Sequence, residues 1–239
     1  MTLPPLLFAV LAGAANLIGA LVVTTRHGWS PRALQTIVAY SAGFLIAVAF
    51  AGLLPEALAA HGEGAALVAL AGYVLVHLTQ HVLGRHFHFG EETHEVSPLA
   101  GVAALVGLLL HTFVDGVAIA SGFQVDAQLG TLVFVGVFLH KVPEGLAISS
   151  LFLAAGASRR QALLAAATLA LATVAGALVT SWVEGLAGWG LALSAGVSVY
   201  VAASNLVPEF QQDRGWRMPA AFVAGCVAFL AAHMLTHQH

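Results

Sequence analysis

Two stretches of this chain carry the same chemistry. His111-Thr-Phe-Val-Asp115-Gly116 and His140-Lys-Val-Pro-Glu144-Gly145 each place an imidazole four residues ahead of a carboxylate, with a glycine and a small apolar run behind it. On an α-helix, residues i and i+4 project from one face. Each stretch therefore offers one nitrogen and one oxygen to a single point. Two such helices side by side make a four-ligand cage of His111, Asp115, His140 and Glu144, which suits a divalent transition metal. One His-x-x-x-Asp would carry little information. The same pattern twice, inside otherwise apolar segments, points to one shared site.

The residues around these ligands sharpen the expectation. Asp115, Lys141 and Glu144 are ionisable groups inside apolar segments. Each costs about 2.5–3.5 kcal/mol at mid-bilayer on insertion scales, so they are expected to face one another or a wet cavity. The bland alternative is a buried polar cluster that only pins two helices together, which would not require two histidines at matched spacing. Lys141 sits about 100° around the helix from His140. It can reach Asp115 or Glu144, and it would repel a second cation, so one metal is expected and not two. Pro143 removes a helix hydrogen bond and frees the Leu139 carbonyl as an extra oxygen ligand or water anchor. Gly116 and Gly145 let the two helices approach closely.

The elements that position these residues follow from composition. Apolar residues make up 59% of the 239-residue chain and charged residues 8%, where a soluble domain carries roughly 25% charged residues. Apolar segments of about 20 residues recur along the whole length, and in lipid they must be helices. We count eight spans, near 4–25, 34–58, 64–83, 98–121, 128–155, 161–183, 189–210 and 218–236. The fold class expected is an all-α polytopic membrane protein, one transmembrane domain over residues 1–239 with a cytoplasmic loop near 84–97. The net charge of −3 gives no reason to expect a nucleic-acid partner, and the single cysteine, Cys226, excludes an intrachain disulfide or a thiolate cluster. The N-terminus, Met1-Thr-Leu-Pro-Pro, has no basic n-region, so the first apolar segment reads as a retained span.

The seven arginines, Arg26, Arg32, Arg85, Arg159, Arg160, Arg214 and Arg217, all fall in the odd-numbered connections, while the even-numbered ones carry Glu63, Asp126 and Glu184. The positive-inside rule makes the odd connections cytoplasmic. Both termini are then extracytoplasmic, in a cell (inner or plasma) membrane. A second internal match supports an inverted repeat. Ser41-Ala-Gly, Val48-Ala49 and Leu53-x-Pro55-Glu56 align without a gap with Ser194-Ala-Gly, Val201-Ala202 and Leu206-x-Pro208-Glu209. Spans 1–3 then correspond to spans 6–8, and span 4 to span 5, a 3+2+3 bundle. Transporters place substrate at such a repeat interface near the midplane.

The pattern resembles the ZIP (Zrt/Irt-like protein) family of divalent-metal transporters, prokaryotic type. The resemblance covers essentially the whole chain, and its span-4 motif is close to His-Asn-x-Pro-Glu-Gly. It implies His111, Asp115, His140 and Glu144 as primary-site ligands. Thr112 stands where the family often has Asn, Val114 where Pro is common, and Asp115 where Glu is common. Lys141 stands where members with two metals have an acidic or amide ligand, and residues 161–183 contain no Asp or Glu to complete a second site. Thr112 and Lys141 thus substitute for second-site ligands, in agreement with the charge argument for one ion. Span 7 has Ser204-Asn205-Leu-Val-Pro208-Glu209 where His-Glu before Ile-Pro-Glu is frequent. The family also suggests a homodimer.

Other candidates are less determined. His86, His88 and His94, with Glu91, Glu92 and Glu95, read either as a loop that binds metal weakly or as a polar linker. His77 and His81 share a face of span 3, as part of an exit path or as interfacial residues. Glu56 and Glu209 end their spans as pathway mouths or as ordinary interfacial carboxylates. For the C-terminal His233, His237 and His239 a mobile terminus is the favoured reading.

The function expected is uptake of divalent metal into the cytoplasm, with zinc as substrate and Fe²⁺, Mn²⁺, Co²⁺ or Cd²⁺ compatible with the same ligand set. Two other classes compete. An intramembrane zinc hydrolase needs three protein ligands, an open water position and a general base, and no His-Glu-x-x-His is present. The other is a membrane metal sensor without transport. The expected protein is not an enzyme, because a duplicated symmetric site fits alternating access better than an asymmetric reaction.

Overall fold

A computed structural model of the protein describes residues 3–25, 31–82, 98–211 and 215–236. These residues form helices and short connections, with no strand among them. In chain order the elements are α1 (Leu3–Thr25), α2 (Pro31–Val48), α3 (Leu54–His61), α4 (Glu63–Val82), α5 (Pro98–Val125), α6 (Ala127–Ala154), α7 (Arg159–Thr180), α8 (Glu184–Tyr200), α9 (Pro208–Gln211) and α10 (Arg217–Thr236). A π-helical segment, Ala49–Leu53, joins α2 to α3, and another, Val201–Leu206, joins α8 towards α9. Eight helices or continuous helical runs are long and apolar enough to cross a membrane. The chain is an all-α polytopic integral membrane protein.

Local chemistry sets the boundaries. Spans 4 and 5 are joined by Asp126 alone, whose Oδ1 accepts the Leu129 N–H at 2.7 Å and caps α6. Gly156, at φ +80°, ends α6: its N–H bonds the Leu153 carbonyl and the next N–H bonds Phe152, as in a Schellman motif. Ser158 and Gln161 form a capping box that starts α7. The two π-helical segments precede Pro55 and Pro208, which lack an N–H. The residue before each proline bonds the carbonyl five residues back, Leu54 to Ala49 and Val207 to Ala202.

The inverted repeat appears in the packing. A Cβ at Gly43 (α2) would collide with the Phe222 carbonyl of α10, and one at Gly225 with the Tyr40 carbonyl of α2. Gly196 (α8) and Gly72 (α4) meet the Ala69 and Leu193 carbonyls in the same way, every residue being offset by the 153 positions of the sequence match. Likewise Gly19 and Gly145 join α1 to α6, and Gly176 and Gly116 join α7 to α5. Close backbone contact through small residues is how helices associate in lipid. Helices α1, α5, α6 and α7 pack as one group and α2, α4, α8 and α10 as another, meeting where α6 touches α2 and α5 touches α8.

Candidate metal site

The two motifs lie in α5 and α6, consecutive helices that pack on each other and form the side of the first group that meets the second. His111, Asp115, His140 and Glu144 are all buried, as are Thr112 and Lys141. One ligand atom from each of His111, Asp115 and Glu144 lies within 4.8 Å of the others. His111 Nε2 is 3.1 Å from Glu144 Oε2. His140 Nε2 is 3.2 Å from Asp115 Oδ2 and 4.0 Å from Glu144 Oε2. Ligands about 2.0–2.2 Å from a zinc ion stand roughly 3.3–3.6 Å apart at tetrahedral corners. The 3.1 and 3.2 Å pairs are close to those edges; the group that lies mutually within 4.8 Å is His111, Asp115 and Glu144, and His140 adjoins it through Asp115.

The histidines are oriented for ligation. His140 Nδ1 lies 3.0 Å from the Gly136 carbonyl, one turn back on its own helix, where it can only donate. A metal ion would therefore meet Nε2, which faces the Asp115 carboxylate at 3.2 Å. A carboxylate only accepts, so that contact is a hydrogen bond only while Nε2 carries a proton, which an arriving ion must displace. His111 Nδ1 is buried and has no hydrogen-bond partner among the described residues.

Lys141 is placed between the two acids. Its Nζ is 2.7 Å from Asp115 Oδ2 and 2.8 Å from Glu144 Oε2, and it donates to Thr112 Oγ1 at 3.0 Å. The Thr112 hydroxyl in turn donates to Glu144 Oε1 at 2.9 Å. Sequence alone left Lys141 free to reach either acid, whereas in the fold it bridges both. One ammonium thus lies against two carboxylates in a buried cluster.

Two features differ from the sequence reading or escaped it. The Leu139 carbonyl freed by Pro143 was expected to serve an ion or a water. Instead the Ser41 O–H, shared with the Ile37 carbonyl at 2.8 Å, covers it at 3.1 Å. The repeat-related Ser194 also donates to the facing motif helix, but to the Val114 carbonyl at 3.4 Å, one turn past Leu110, the residue equivalent to Leu139. Asn16 of α1, unsignalled by any motif, is buried with its Nδ2 3.4 Å from Glu144 Oε1.

The remaining candidates lie apart from this cluster or outside the described residues. His77 packs against Tyr73 and Tyr200 at ring distances of 6.5 and 5.8 Å. His86, His88 and His94 fall outside the described residues, as do the side chains of His81 and Glu209.

Comparison with known proteins decides the family. Residues 90–232, which include both motifs, match the family model described as ZIP Zinc transporter. The chain belongs to the ZIP family. It is 25% identical to the zinc transporter ZIP13 of Pongo abelii over 89% of its own length and 71% of that protein. It is 27% identical to the zinc transporter ZupT of Escherichia fergusonii over 53% of its length and 52% of that protein. It is 33% identical to human zinc transporter ZIP6 over 52% of its length and 18% of that protein. The chain thus spans about half of ZupT and a smaller part of ZIP6. ZIP proteins are transporters and not enzymes, which removes the hydrolase reading.

Proposed function

We propose that the chain, acting as one transport unit, carries a single divalent metal ion, Zn²⁺ first, across the membrane into the cytoplasm through the cage of His111, Asp115, His140 and Glu144. The observation that supports this reading is the convergence of His111, Asp115 and Glu144 at a buried point between two membrane-length helices, with His140 joined to them through Asp115. Family membership supports metal as the cargo and the relatives' names support zinc. The ion sheds water as the imidazole nitrogens and carboxylates replace it, and its charge displaces the Lys141 ammonium from the carboxylate oxygens. Because the ligands are buried, entry and exit require the two helix groups to shift against each other, with the site at the repeat interface. Arginine in the odd-numbered connections supports an orientation with those connections in the cytoplasm.

The test is Zn²⁺ entry into proteoliposomes with a trapped zinc dye, comparing the natural protein with Glu144→Ala. Uptake should be lost in the variant while its folding in detergent is retained. Uptake equal in both would place the path elsewhere. Metal binding without uptake by either would favour a sensor.

A further inference from the structure

The buried amide of Asn16 stands half satisfied beside the cage. Its Nδ2 donates to Glu144 Oε1 at 3.4 Å, while its Oδ1 is buried and has no partner among the described residues. A carboxylate oxygen only accepts, so the donor end of the amide must face Glu144 while no ion is present. That leaves a neutral oxygen, one amide width away, with nothing to accept from. Buried polar atoms without partners are uncommon in folded proteins and call for an explanation.

The backbone fixes Asn16 in this place. Gly145, the residue after Glu144, has no Cβ and so lets the Asn16 carbonyl lie against α6, and Gly19 does the same one turn on against Val142. On the other side of the repeat, Gly116 after Asp115 lies against Thr173 of α7, so Asn16 and Thr173 hold equivalent positions. Both are buried, but the Thr173 hydroxyl faces the Leu169 carbonyl of its own helix at 3.4 Å. Of this pair, Asn16 is the one that reaches the acids.

We infer that Asn16 is a fifth ligand-bearing side chain of the site, whose amide turns over when the ion arrives. Without metal, Nδ2 holds Glu144. With metal on Glu144, rotation about the last side-chain torsion, which has a broad profile, presents Oδ1 to the cation. The ion thereby gains an oxygen ligand that adds no charge; Nδ2 gives up its 3.4 Å bond to Glu144, and Oδ1 gains the stronger contact with the cation. Such a ligand favours oxygen-preferring ions relative to a site of histidines and acids alone. The inference rests on the reading that Glu144 binds the transported ion.

Titration of detergent-solubilised protein with Zn²⁺ and with Mn²⁺, alongside thermal unfolding without metal, tests this. Asn16→Leu keeps the size of the side chain and removes both polar atoms. It should weaken Zn²⁺ binding about tenfold or more, with metal-free stability unchanged or raised because the orphaned oxygen is gone. Asn16→Asp keeps an oxygen in place and should bind Zn²⁺ at least as tightly as the natural protein and Mn²⁺ more tightly. If both variants weaken binding equally, or Asn16→Leu leaves it unchanged, Asn16 only packs α1 on α6 and the inference is overturned. Should Asn16→Leu not fold, Asn16→Ala against Asn16→Asp makes the same comparison. Glu144→Ala in the same titration separates the two levels: natural binding in that variant would overturn the cage itself, whereas loss there with Asn16→Leu unchanged would overturn the Asn16 assignment alone.

Discussion

At the scale of single residues, the proposed function makes Lys141 the group that sets how tightly the cage holds an ion and how many it accepts. Its ammonium touches both carboxylates, so it stabilises the empty site and competes with metal for the same oxygens. Lys141→Gln removes the competitor and leaves two buried acids facing each other. Without metal the variant should lose several kcal/mol of stability, about 3–5 for a buried pair stripped of one partner. Zn²⁺ should restore that loss and bind more tightly than in the natural protein, on the order of tenfold. Equilibrium dialysis should give one ion per natural chain at this site, with the region 84–97 removed to exclude its histidines. Two tightly held ions that both need Asp115 and Glu144 would contradict the role given to Lys141. The residues of this cluster were legible because i, i+4 spacing repeats and charges in apolar runs stand out. Asn16 was not, since a lone amide in α1 has no pattern and gains meaning only when Gly19 and Gly145 seat α1 on α6.

At the scale of elements, backbone proximity across the glycine pairs fixes the site more than side-chain bulk does. Gly145→Ala would push a methyl group into the Asn16 carbonyl, and neither side is a flexible side-chain end. The variant should lose about 1–3 kcal/mol, as overpacked sites do, and bind Zn²⁺ more weakly because α1 must withdraw. Gly107→Ala, also on a site helix, is the contrast. Its methyl would meet Gln80 at an ordinary 3.7 Å, so it should be neutral or gain up to about 1 kcal/mol from helix propensity. Parallel losses in both would mean that α5 and α6 resist any added side chain. The sequence match around Pro55 and Pro208 disclosed the repeat but not its local form. A hydropathy pattern has no signal for a π-helical turn, and the proline marks the place only once the backbone is seen to bond five residues back. Ser41 covering the Leu139 carbonyl was hidden for the same reason: it is a contact between helices of different groups.

At the scale of the whole molecule, orientation decides which end of the path opens to the cytoplasm. The surface suits a membrane on all sides, since Leu67, Leu171 and Leu235 are about 70% exposed on helix flanks (70%, 69% and 70%). Trp182 and Trp216, exposed to 78% and 85%, stand in connections at opposite ends, where indole rings sit at the two membrane–water boundaries. These features are the same for either orientation, and only the arginine distribution breaks the tie. Orientation can be read with single cysteines placed in a Cys226→Ser background, where serine keeps a donor near the Gly43 carbonyl that Cys226 faces at 3.2 Å. Glu63 and Ser158 are both exposed, in the second and fifth connections. In intact cells an impermeant maleimide should label Glu63→Cys and reach Ser158→Cys only after the membrane is opened. The reverse result would turn the molecule over, with its arginines facing outward against the charge rule.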